Sequence, residues 1–111
     1  MISINVSGHH DVTVVEVSGR IDSMNANQLS TALSKEIDDG NYYLVLDLNG
    51  VDYMSSAGLR EMVAILKKVK RVSGDLRIAQ PSERVSEVFE MAGLYTILKI
   101  YETQAEAVES Y

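Results

Sequence analysis

The chain has no cysteine, no tryptophan and a single proline among its 111 residues. Without thiols it has no disulfide and no thiolate metal site. Long apolar runs are missing too: stretches such as residues 62–66 fall far short of the roughly 18 residues a membrane-spanning helix requires. The opening Met1-Ile2-Ser3 leads straight into an alternating pattern, with no charged region followed by an apolar stretch, so no secretory leader is read and the expected location is the cytoplasm. Positive charge is also scarce. Ten basic residues stand against 16 acidic ones, a formal net charge of −6, so a nucleic-acid backbone would be repelled and direct nucleic-acid binding is not expected. What remains is ordinary for a folded domain. Hydrophobic residues make up 46% and charged residues 23%, which argues against disorder, and the length suits one domain over residues 1–111.

Ile2, Ile4 and Val6 alternate with polar residues, Gly8-His9-His10-Asp11 supplies turn chemistry, and Val12, Val14, Val15 and Val17 resume a β-branched run. This pattern predicts an antiparallel hairpin. Asn25-Ala26-Asn27-Gln28 resembles a capping box, and Leu29, Leu33 and Ile37 share one face of the helix that follows, which ends near Gly40. Residues 43–48 form a short apolar run expected at the centre of a sheet. A second helix is predicted from 57 to about 72, with Leu59, Val63 and Leu66 inward and Ser73-Gly74 as its stop. A strand at 76–79 and a helix carrying Val85, Val88, Phe89 and Met91, with Pro81 in its first turn, come next. A short strand over 97–101 and a terminal helix capped by Thr103-Gln104-Ala105-Glu106 complete the chain. Strands alternating with helices predict an α/β fold: a mixed, mostly parallel sheet with an N-terminal antiparallel hairpin, right-handed crossovers and about four helices.

The densest chemistry lies in residues 47–60, Asp-Leu-Asn-Gly-Val-Asp-Tyr-Met-Ser-Ser-Ala-Gly-Leu-Arg. It places Ser55 and Ser56 where a buried strand hands over to a long helix. Unpaired N–H groups and the positive end of the helix macrodipole converge there, so an added phosphate would be held locally. Either serine also serves as a simple N-cap, and the two uses are compatible. If parallel neighbours bring the two loops together, Asp22 approaches Ser56; a loop aspartate bonding nearby amides is the competing use. Asp52 and Tyr53 are expected in an exposed loop as contact residues. Asp47 is read as structural, because a buried carboxylate needs hydrogen-bond partners. On the second helix Met62, Ile65, Val69 and Val72 widen the apolar face to about half the circumference. Either neighbouring helices cover these residues, or Met62 and Ile65, close to the serines, meet a partner. His9-His10 does not read as a metal site: neighbours in a strand face opposite ways, and no third histidine or cysteine exists.

This segment, with Gly19-Arg20-Ile21-Asp22 upstream and Phe89-Glu90-Met91-Ala92-Gly93-Leu94 downstream, resembles the STAS family, specifically the bacterial anti-sigma factor antagonists. The resemblance runs over essentially the whole chain. It implies a small monomeric STAS domain without cofactor or catalytic group. Its partners would be an anti-sigma factor that is also a serine kinase and a PP2C-type phosphatase. It implies phosphorylation at Ser56, with Ser55 as the alternative acceptor because many members carry aspartate there. Asp22 would contribute to partner recognition.

Two other functions compete. A serine at a strand-to-helix turn suggests the hydrolase elbow, but Met54 stands where G-x-S-x-G requires glycine, and both histidines precede the serine. A scaffold or nucleotide-binding STAS module is the other reading, although no G-x-x-x-x-G-K-[ST] loop is present.

Overall fold

The computed structural model describes residues 2–111. Its first two strands, β1 (Ile2–His9) and β2 (Val12–Ile21), pair antiparallel through a turn reduced to His10-Asp11, where His10 adopts φ 58°. β1 is an edge strand: Ile2 and Ile4 are half-buried against the core, while Val6 is exposed. Helix α1 (Ala26–Asp38) leads to β3 (Tyr43–Met54), α2 (Ser56–Lys70) to β4 (Asp75–Ala79), and α3 (Glu83–Met91) to β5 (Lys99–Tyr101). A six-residue helix, α4 (Gln104–Glu109), follows.

The five strands described lie in the order β1-β2-β3-β4-β5, with every pair after the hairpin parallel. This is the mixed α/β sheet that the residue pattern predicts. β2 and β3 sit inside it, so their apolar runs are covered on both faces. Val15, Val17, Leu44, Leu46, Leu48, Leu76 and Ile78 pack against α1, α2 and α3 in the main core. On the other face Val12, Val14, Val45 and Ala79 lie under Ala107 of α4.

Several boundaries differ from the sequence expectation. β3 does not stop at residue 48 but runs 12 residues to Met54, because β2 continues beside it to Ile21 and keeps offering ladder partners. Two register shifts keep it in the ladder, one between Glu16 and Ser18 opposite Leu48-Asn49 and one between Gly19 and Arg20 opposite Asp52. Gly50 is required there, since a Cβ would lie 2.6 Å from that of Ser18. Asp52 and Tyr53 are therefore strand residues, not loop residues. Asn25 is the N-cap of α1 but makes no capping bond; its amide accepts from Asp22 N–H at 3.0 Å and donates to the Arg20 carbonyl at 2.8 Å. Pro81 precedes the cap of α3, where Ser82 accepts from Val85 N–H at 3.2 Å. Residues 94–96 form a short 3₁₀ turn that holds Leu94 in the core and delays β5 to Lys99.

The second helix also shows a different face. Met62, Ile65, Leu66 and Val69 are buried, whereas Leu59 and Val63 are half-buried. The expectation that Met62 and Ile65 meet a partner is overturned: they are 0% and 4% exposed. Neighbouring elements cover Met62, Ile65 and Val69, whereas Val72 lies beyond the end of α2 and is exposed. Among the described residues no helix is long and apolar enough to cross a membrane, and no cluster of histidine and carboxylate side chains has the make-up of a metal site.

Candidate functional site

The parallel pair β2 and β3 ends in register, Ile21 beside Met54, and the ladder continues one step further: Ser55 N–H donates to the Ile21 carbonyl at 2.9 Å. This bond fixes Ser55 in extended backbone (φ −81°, ψ 171°) as the N-cap of α2, and its Oγ accepts from Gly58 N–H at 3.5 Å. Ser55 is half-buried. Ser56 opens the helix, is exposed, and makes no side-chain hydrogen bond among the described residues. The two hydroxyls thus divide: one is committed to the cap, and the other faces solvent at the positive end of a 15-residue helix.

Gly58 explains why the helix begins so close to the strands. A Cβ at this position would lie 2.8 Å from Ile21 Cγ2 and 2.8 Å from Met54 Cγ. Only a bare backbone permits the first turn of α2 to rest on the ends of β2 and β3.

Asp22 stands immediately after the carbonyl that anchors Ser55, so the loops after β2 and β3 are neighbours. Its carboxylate accepts from Met24 N–H at 2.9 Å and lies 3.6 Å from Arg20 Nε. The loop-aspartate use expected of Asp22 is therefore present, with the carboxylate still 30% exposed. Arg20 also stacks on Tyr53, its guanidinium carbon 4.1 Å from the ring centroid, an arrangement that favours a cation. Arg20 is a rim residue that the sequence reading missed. Its signal was its place next to the end of the run, two residues before Asp22, where β2 closes at Ile21. Asp52 is exposed on β3, beside the half-buried Tyr53.

Asp47 lies outside this rim, on the face of the sheet that α4 covers. It is buried, and it accepts from Asn49 N–H at 2.9 Å, Gln80 Nε2 at 2.9 Å and Gln104 Nε2 at 2.7 Å. Its partners satisfy it as a structural carboxylate that ties α4 and the segment after β4 to the central strand.

A family model described as STAS domain matches residues 3–107. The chain belongs to the STAS domain family. BtrV of Bordetella bronchiseptica, assigned as an anti-sigma factor antagonist, is 35% identical over 95 residues, 86% of this chain and 82% of its own. The crystal structure of an anti-sigma factor antagonist from Mycobacterium paratuberculosis superposes with a TM-score of 0.91 at 28% identity, over 99% of this chain and 93% of that one. SpoIIAA, a Bacillus cell fate determinant solved in its phosphorylated form, shares the fold with a TM-score of 0.76 at 19% identity, covering 97% and 98% of the two chains.

Proposed function

We propose that this STAS domain is an anti-sigma factor antagonist, switched by phosphorylation of Ser56. In its unmodified form it binds an anti-sigma factor that is also a serine kinase, and sigma factor is released. Modified, it lets that partner go until a PP2C-type phosphatase restores the hydroxyl. The reading places the protein in the cytoplasm as a monomer.

The observation that carries it is the division between the two serines: Ser55 is tied into the cap, and Ser56 is exposed and unbonded on the helix end. Phosphorylated SpoIIAA, with the same fold, supports the chemistry. In the transfer, Ser56 Oγ bonds to the γ-phosphorus of ATP, the bond to the β-phosphate oxygen breaks, and the hydroxyl proton passes to a base on the kinase. The STAS domain needs no catalytic group of its own.

The product adds about −1.5 to −2 charges at one point of the rim that Asp22, Asp52 and Tyr53 share. Near Asp22 and opposite a carboxylate-bearing partner, that charge is repulsive. A penalty of about 1.4 kcal/mol weakens binding tenfold, so one phosphate suffices for a switch.

The test uses a candidate kinase, ATP and peptide mass spectrometry, with complex formation measured for the wild type, Ser56→Ala and Ser56→Asp. The expected result is that Ser56→Ala binds but takes no phosphate, while Ser56→Asp binds less well. Phosphate on Ser55 would move the site, and equal binding by all three would favour a scaffold role.

A further inference from the structure

Arg60 follows Ser56 by four residues on α2, so their side chains share a face with about 5–6 Å between Cβ atoms. It is exposed and, among the described residues, has no ion pair, hydrogen bond or aromatic partner. Arg71 and Arg84 are likewise exposed and without such partners among the described residues, but neither lies within one helical turn of Ser56, and the other two arginines are engaged. Arg20 is held by Asp22 and Tyr53; Arg77 by Asp75, Ser110 and the Tyr111 ring. Arg60 instead lines a shallow groove of about 460 Å³ between α2 and the end of α3, with Leu59, Val63, Ala92 and Leu94.

We propose that a phosphoryl group on Ser56 is received in cis by Arg60, whose guanidinium leaves the groove rim for the head of α2. This rests on the reading that Ser56 is the modified residue. An anion placed N-terminal to a cation at i,i+4 is the favourable order on a helix. The guanidinium fork matches phosphate oxygens two at a time, where a lysine offers only a point charge. Modification then acts at two places: it adds an anion at the rim and withdraws one of the two cations, Arg60 and Lys67, that line the groove. A partner surface that touches either place senses the phosphate.

The test installs phosphoserine at position 56 during translation, so no kinase is needed. The second ionisation of the phosphate is followed by ³¹P NMR in the wild type, Arg60→Gln, Arg60→Lys and Arg20→Gln. A nearby cation favours the dianion, so the wild-type value lies below the ordinary value of about 6. Arg60→Gln raises it by about half a unit, and Arg60→Lys restores part of that. The Arg60 Nε–H resonance also moves when the phosphoprotein is compared with the unmodified chain. Identical titrations for the wild type and Arg60→Gln would overturn the proposal, as would a larger change from Arg20→Gln. Because Arg60 is exposed, thermal unfolding is expected to find all variants folded. A kinase that fails to modify Ser56 would defeat the switch and leave this titration standing, so the two ideas fail separately.

Discussion

Replacing Gly58 by alanine asks whether the first turn of α2 is pressed against the strands as tightly as the geometry requires. The added methyl would lie 2.8 Å from both Ile21 Cγ2 and Met54 Cγ, well inside the roughly 3.5–4.0 Å at which carbon atoms attract one another. Neither neighbour has room to retreat, since Ile21 is 0% and Met54 2% exposed. Helix propensity alone would favour alanine by about 1 kcal/mol. Overpacking a close-packed site costs about 1–3 kcal/mol, and here it opposes that gain. The expected net effect is a loss of about 1 kcal/mol, read as a lower urea midpoint at unchanged slope. Coupling with Met54→Ala provides the second arm. Alone, the truncation is costly, but it also removes an atom that the new methyl strikes, so the double variant is more stable than the two single losses add up to. A Gly58→Ala protein stabilised by about 1 kcal/mol, as propensity dictates, would refute the close-approach argument.

Ser55→Ala removes the cap of α2 and is expected to cost about 1 kcal/mol in denaturant unfolding, whereas Ser56→Ala stays within about 0.5 kcal/mol of wild type; equal losses would mean that the hydroxyls do not divide as described. Stability should also fall at both extremes of pH, measured by thermal unfolding. Burial alone would raise the Asp75 carboxyl, but Arg77, Lys70 and the Leu76 N–H together hold it below its ordinary value; its contribution is present above the unfolded pKa and is lost as pH falls below about 4 through the lower folded value. Burial, with the Asp75 charge adding to it, raises the Tyr111 phenol, which donates toward the Leu44 and Asp75 carbonyls; this contribution is full below about pH 10 and is lost above it. Asp75→Asn should blunt the acid loss and Tyr111→Phe the alkaline one, and an unaltered pH profile in either variant would reject its assignment.

The order of elements was legible because local signals agreed with tertiary need: β-branched runs for inner strands, Thr103 for the start of the last helix, and Gly40 at φ 92° after α1. Where local chemistry and tertiary pairing pull apart, the reading failed. Asn49-Gly50-Val51-Asp52 carries turn residues, yet β2 supplies a continuous partner, so the chain stays in the ladder at the expense of two register shifts. Asn25 has the side chain of a cap, but its amide has two loop groups within reach, and tying Arg20 to Asp22 leaves it none for the helix. At the rim, sequence could place two hydroxyls at the junction but could not assign them different work. That assignment comes from the Ile21 carbonyl, 34 positions before Ser55 in the chain and 2.9 Å from its N–H.

The misplaced face of α2 has a more specific cause. Read by hydropathy, the stripe begins at Leu59 and continues through Val63 and Leu66. Leu66 is buried as expected, but the rest of the buried stripe runs Gly58, Met62, Ile65, Val69, a 4-3-4 spacing of its own. Its first member is a glycine, which contributes no hydrophobic side chain and so does not register as part of an apolar face. It nevertheless sets the phase, because the only side of the first turn able to touch Ile21 and Met54 is the side without a Cβ. Once that contact is fixed, helical geometry carries Met62 and Ile65 into the core and rotates Leu59 and Val63 to the groove edge beside Arg60. Leu59 and Val63 still pack on the core by one side, and they, rather than Met62 and Ile65, are the apolar side chains left at the groove edge near the serine.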